Sequence, residues 1–217
     1  MFEKHKEKKA EEAYESALHV WQAEHDELAA VLEAATTRRG SASSDLVLKP
    51  GEAVFASVSN ASLVEDLRGP GHYAGGSQGV SIPIGSIGGR SVRYRVGASR
   101  GHFVQGELHP EGVDTGTLFV TNQRMVFVGS KKTVECAFSK LVSVNVGGGD
   151  IFVSVSNRQK VTRVHFGSKL DGWVHLRVTL ALAIAHGQAD QLAQQLQAQL
   201  NELEAKRPVQ PAHPVQP

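Results

Sequence analysis

From residue 3 to residue 38 neither Gly nor Pro interrupts the chain, and Tyr14, Leu18, Trp21, His25, Leu28, Leu32 and Ala35 recur at alternating steps of four and three. That spacing predicts one long helix with an apolar stripe on a single face. His25 stands where an apolar residue is expected, and the stripe is short. It therefore suits a coiled-coil dimer and a helix docked on its own domain equally well. Gly40 to Ser44 then ends the helix, and residues 39–45 form a flexible link.

The period changes after the link. Leu46 to Leu48, Ala53 to Val58 and Leu63 to Leu67 have strand character, separated by turn-formers at Pro50-Gly51 and Ser59-Asn60. Glycine becomes frequent between Arg68 and Arg90, yet Val80, Ile82 and Ile84, and later Val92, Tyr94 and Val96, keep a two-residue alternation. Residues 46–102 thus read as a β-rich, Gly-rich region of irregular hairpins or long loops, preceding or extending whatever core follows.

Gly116 to Gly129, GTLFVTNQRMVFVG, is the clearest hairpin in the chain. Two runs of β-branched, aromatic and other apolar residues flank a turn at Asn122-Gln123. Residues 187–207 form a second amphipathic helix with Leu192, Leu196, Leu200 and Leu203 on one face. In residues 208–217, prolines 208, 211, 214 and 217 recur at the polyproline II period, which predicts an extended, solvated tail.

Glycine, apolar strand, Thr-Asn-x-Arg, apolar strand, glycine resembles the signature hairpin of GRAM-like domains, a branch of the pleckstrin-homology-like superfold. The resemblance covers residues 103–186: Lys131 to Phe138, Val142 to Val146, Ile151 to Val155 and Val161 to Phe166 look like the further strands of that pattern, and about Leu170 to His186 like its closing helix. It implies an α+β fold: an antiparallel β-barrel closed by a C-terminal helix, here with a long N-terminal helix and an extra C-terminal amphipathic helix. Members of this superfold bind phosphoinositides, peptides or proteins, so the fold alone does not fix the ligand.

Composition narrows the classes. Forty-one per cent hydrophobic residues in 217 supply a core, so the chain is not wholly disordered. Cys136 is the only cysteine, which excludes an intrachain disulfide and a cysteine zinc cage. The apolar run Val178 to Ala185 is too short to cross a bilayer, and the mixed charges of residues 1–15 do not resemble a secretory signal; a cytoplasmic protein, with peripheral membrane contact as an option, is expected. The net charge of +1 is unevenly spread: residues 1–45 carry six Lys/Arg against ten Asp/Glu, a net of −4, whereas residues 86–169 carry twelve against five, a net of +7. A basic β-domain of this kind suits an anionic surface or an acidic partner.

Catalytic patterns are present but lack their context. Residues 75–79 and 97–101 both match G-x-S-x-G, around Ser77 and Ser99, but neither is followed by the helix that a nucleophile elbow requires. Asp114-Thr115-Gly116 imitates an aspartic-protease loop, whose chemistry needs a second carboxylate to share a proton, and no second copy occurs in the chain. The ten histidines show no metal-site spacing, and Gly147-Gly148-Gly149-Asp150 lacks the Lys-Ser/Thr of a phosphate loop. No enzyme activity, cofactor or metal is expected, and a hydrolase using Ser77, Ser99 or Asp114 is the weakest reading.

Binding chemistry is sought instead in the cations of the strand connections. Lys131 and Lys132 follow the hairpin directly, and Arg158 and Lys160 flank a later turn. The resemblance implies that such residues would hold an anionic lipid or an acidic partner. The leading expectation is a non-enzymatic module for protein docking or self-association through the domain and its flanking helices. The alternative is a peripheral membrane protein that reads anionic lipid. No nucleic-acid partner is expected.

Overall fold

A computed structural model describes residues 2–43, 45–68, 72–87, 90–104 and 107–210, with the backbone alone for 2–4, 6, 7, 72–87 and 90–104. The expected polyproline tail lies outside the described residues from 211 onward. The chain divides into two compact units, residues 1–64 with 113–217, and residues 65–112.

The first unit is built on an antiparallel seven-stranded sheet. Its strands are β1 (Val54–Arg68), β4 (Leu108–Thr121), β5 (Arg124–Gly129), β6 (Thr133–Ala137), β7 (Leu141–Gly147), β8 (Asp150–Val155) and β9 (Thr162–His165). They lie in the order β6-β5-β4-β1-β9-β8-β7. Two three-stranded meanders thus meet at β1, whose residues Ser62 to Val64 pair with His165 to Arg163. Residues 54–64, read from the sequence as preceding the 103–186 domain or extending its barrel, supply this central strand.

Serine and asparagine at 59 and 60 read from the sequence as a turn between two strands; the structure runs β1 straight through them. Asn60 takes a left-handed conformation (φ 57°), which asparagine tolerates better than most residues. Burial alternates through Ala56 and Val58, slips by one residue at Ser59-Asn60, and resumes at Ala61 and Leu63. One inserted residue with a slipped phase is a bulge. It bends the strand and keeps both halves facing the core, where a true turn would have ended it.

The sheet is open: β6 and β7 are its two edges, joined by a single 3-10 turn at Phe138–Lys140. Helix α2 (Asp171–Ala185) packs Val174, Val178 and Ala181 into the same core as Leu63, Val120, Phe127 and Ile151. Its other side, with Leu180 and Ala183, forms a second core with Val31 and Ala35 of α1 (Phe2–Thr37), Leu192 and Leu196 of α3 (Ala189–Ala205), and Phe55 of β1. An element buried on two sides must be apolar nearly all round, and α2 is. Each fully buried side chain such as Leu180 contributes roughly 1.5–3 kcal/mol.

The stripe on α1 is turned toward its own chain. Val31 and Ala35 are fully buried and Trp21, His25, Leu28 and Leu32 half-buried, while Trp21 Nε1 donates to the Leu203 carbonyl at 2.8 Å. His25 stacks on Trp21 with ring centroids 5.1 Å apart. Arg38 at the end of α1 reaches both oxygens of Asp190 in the first turn of α3, and Arg177 of α2 forks onto Glu27 at 3.0 Å.

The second unit contains β2 (His72–Ile87) and β3 (Arg90–Val104), which pair antiparallel from His72↔Val104 to Ile87↔Arg90 with one register shift between Pro83 and Gly85.

Candidate functional site

The polar residues of the Thr-Asn-x-Arg turn are all committed to partners within the chain. Thr121 Oγ1 accepts from the amides of Gln123 (3.1 Å) and Arg124 (3.0 Å) and donates to Glu52 Oε1 at 2.7 Å. Asn122 accepts from the Ala53 amide and donates to the Gly51 carbonyl, and Gln123 Nε2 donates to the Pro50 carbonyl. These bonds clamp the approach to β1 against the β4–β5 turn. A motif that looked like a plain hairpin turn is therefore a tether for a segment seventy residues earlier.

Arg124 completes the tether from inside. Its guanidinium bonds Glu52 through Nε (2.7 Å) and Nη2 (3.0 Å), Glu135 through Nη1 (2.6 Å), and the Val47 carbonyl at 2.8 Å. The Glu52 side chain is wholly buried. Burial opposes ionisation of Glu52, but the Arg124 guanidinium, the Lys49 amide and the Thr121 hydroxyl outweigh it and hold the carboxyl below its ordinary value. The Lys49 ammonium, 2.6 Å from Glu135, is the main cause of a lowered pKa there too. Two cations and two carboxylates balance, so the cluster offers no surplus charge to a ligand. Sequence reasoning missed Lys49, Glu52 and Glu135; the one available signal was an acid inside each of two apolar runs, EAVF and VECAF.

Asp114 has a similar duty at the other end of the hairpin. Its carboxylate accepts from the amides of Lys131 (2.8 Å), Lys132 (2.7 Å) and Thr115 (2.9 Å) and from the Ser130 hydroxyl (2.9 Å). Burial pushes its pKa up, but these four donors prevail and bring it down to about 2. A carboxylate so engaged is an anchor for the β5–β6 turn. The two glycines that bracket the hairpin, Gly116 and Gly129, are cross-strand partners. A Cβ on Gly129 would collide with the Asp114 carboxylate, and one on Gly116 with the Val128 carbonyl.

Lys131 and Lys132 sit exposed in that anchored turn, and Arg158 and Lys160 sit exposed in the β8–β9 connection. In strand order the two pairs are separated by β4 and β1. Ser77 and Ser99 are directly opposite each other in mid-ribbon, each in extended strand where the nucleophile elbow needs a tight turn. His165 lies 3.2 Å from Asp150, which Arg163 also engages. Among the described residues no group of three His, Cys, Asp or Glu is placed to hold a metal ion, and no helix is long and apolar enough to cross a membrane. A shallow cleft of about 350 Å³ opens beside the turn, lined by Lys49, Asn122, Gln123, Phe138, Ser139 and His186.

Fold and site together define an α+β protein with an open antiparallel sheet and a charge-balanced tether. No protein-family model matches the chain, and neither the curated proteins nor the solved structures hold a match to it.

Proposed function

We propose that the protein is a non-enzymatic interaction module of pleckstrin-homology-like, GRAM-like type, which docks a protein partner or a second copy of itself. Two meanders meeting at β1, with α2 laid over their core, support that reading of the scaffold. The observation that carries the functional part is the commitment of Arg124, Glu52 and Asp114 to structural hydrogen bonds. Reactive side chains consumed in this way leave a rigid framework that presents its loops. Lys131 and Lys132, fixed by Asp114, are the contact residues of this reading, and their partner is acidic. The stripe of α1 from Trp21 to Ala35 is spent within the chain, so self-association would use the sheet and its loops.

The test is the composition and mass of the native complex. A polypeptide in fixed ratio, or a mass that is a multiple of the 23.3 kDa chain, supports the reading if it is lost on reversing Lys131 and Lys132 to Glu.

Binding to anionic lipid is the second reading, favoured by the exposure of Lys131, Lys132, Arg158 and Lys160 in strand connections. Four cations near an anionic surface supply on the order of 1 kcal/mol each, giving weak and salt-sensitive attachment. Sedimentation with anionic and neutral vesicles at two salt concentrations decides it. Absence of binding to the anionic vesicles at low salt removes this reading.

A further inference from the structure

An open sheet leaves a row of backbone donors and acceptors without strand partners along each edge. In β6 that row can be assigned residue by residue. The Gly129 amide donates to the Lys132 carbonyl and the Phe138 amide to the Gln123 carbonyl, both at 2.9 Å. Between these two bonds the register runs unbroken from Val128↔Thr133 to Arg124↔Ala137. Bonded and non-bonded pairs alternate in an antiparallel ladder. Val134 and Cys136 therefore bond to β5, while Thr133, Glu135 and Ala137 turn their N–H and C=O groups to the free edge. Among the described residues no other segment bonds those groups.

Bare edges are usually guarded by charge. The charged side chain within β6 is Glu135, and it is already paired: Arg124 Nη1 and Lys49 Nζ each lie 2.6 Å from it. It therefore does not repel an acidic segment. Lys131 and Lys132 stand exposed just before Thr133, so the start of the edge is cationic. At the other end Ala137 opens onto the cleft of about 350 Å³ lined by Phe138, Ser139 and His186, which leaves room for a chain to run on past β6.

Length and charge select the occupant. Seven positions, 131–137, at about 3.4 Å each make a seat of roughly 24 Å, close to the length of an ordinary strand. A strand added at an edge gains affinity from main-chain bonds and specificity from the side chains beside it. Those beside the start of β6 are lysines, which favour carboxylates. The other free edge, β7, has no charged residue from Leu141 to Gly147, so no charge there makes the same selection.

We propose that the acidic partner enters as one more strand of the seven-stranded sheet. An extended segment carrying Asp or Glu pairs with β6 through Thr133, Glu135 and Ala137, and its acids lie beside Lys131 and Lys132. This rests on the docking function and adds where the partner lies and in what conformation.

The test is amide exchange on the full chain, alone and in its native complex. Alone, the amides of Thr133, Glu135 and Ala137 should exchange fast and those of Val134 and Cys136 slowly. In the complex the three edge amides should slow at least about tenfold, and a segment of the partner bearing Asp or Glu should become protected with them. Thr133→Pro removes one edge donor and no bond to β5, and should weaken the complex at least about fivefold. Thr133→Val keeps the amide and should bind as wild type does. The exchange comparison uses wild type, so it decides even where the proline variant fails to fold. A complex that leaves the three amides as fast as in the free chain overturns the proposal while the docking function stands. A folded proline variant that binds as wild type does overturns it too. A complex of this chain alone gives the edge to a second copy and overturns the acidic partner, as does a protected partner segment without Asp or Glu. Absence of any complex removes the docking function itself, and this proposal with it.

Discussion

Arg124 and Glu52, seventy-two positions apart, form a buried two-pronged ion pair with Nε–Oε1 at 2.7 Å and Nη2–Oε2 at 3.0 Å. The pair joins the start of β5 to the segment that leads into β1. It explains why an arginine ends the turn motif: a shorter or single-pronged cation would not reach Glu52, Glu135 and the Val47 carbonyl together.

Removing one partner from this pair should cost more than removing both. Arg124→Ala leaves Glu52 buried with its charge uncompensated and is expected to destabilise the fold by roughly 3–5 kcal/mol. Arg124→Met combined with Glu52→Leu should recover more than half of that. Urea unfolding of the three proteins measures both quantities, and a double variant no more stable than the single one would remove the electrostatic explanation.

Asp114 predicts an acid limb. Its pKa falls from an ordinary 3.8 to about 2 in the folded chain. A depressed carboxyl adds stability that is complete above its unfolded value and disappears as pH falls through its folded value. Stability should therefore drop between about pH 4 and pH 2. Asp114→Asn should be less stable at neutral pH and should lose the part of the acid drop due to this group, because an amide turns a donor toward amides that need acceptors. Thermal melts of both proteins from pH 7 to pH 2 test the sign.

Gly116 and Gly129 should each resist replacement. Gly129→Ala drives a methyl group into the Asp114 carboxylate, and Gly116→Ala drives one into the Val128 carbonyl. A loss of roughly 1–3 kcal/mol is expected for each, as for other overpacked sites. Combining Gly129→Ala with Asp114→Ala removes the carboxylate from the first clash, leaving the Phe127 ring edge, and leaves the second clash untouched. Stability measured across the four proteins distinguishes a steric cause from a loss of backbone freedom.

Docking of α1 on its own chain should depend on Val31, which is fully buried against α2 and α3. Val31→Asp places a charge in that core and should cost more than about 3 kcal/mol. Limited proteolysis reports it directly: cleavage near residues 39–45 should become fast while the sheet, followed by amide exchange in β5 and β8, stays protected.

Much of the fold was legible because period and punctuation agreed. Helices α1 and α3 fall within a few residues of where apolar spacing put them, and the later strands and α2 within a few residues of where the resemblance put them, whereas β4 begins at Leu108, well ahead of the hairpin's Gly116. What escaped was long-range. The bulge at Asn60 looked like a turn because a left-handed asparagine serves both. Glu52 and Glu135 gave no sign of meeting Arg124, since a buried pair is defined by partners far apart in the chain. The place of β1 at the centre of the sheet was hidden for the same reason. At the candidate site, the four loop cations could be named from sequence, but the anchoring of Lys131 and Lys132 by Asp114 could not.

The most direct measurement of the central claim is the mass of the native protein in solution, by light scattering on material taken from its own cell without denaturation. The interaction-module account predicts a species heavier than the 23.3 kDa chain, reduced to the single chain by Lys131→Glu with Lys132→Glu. A lone chain of 23.3 kDa in the native material, or a heavier species that the two reversals leave intact, would contradict it.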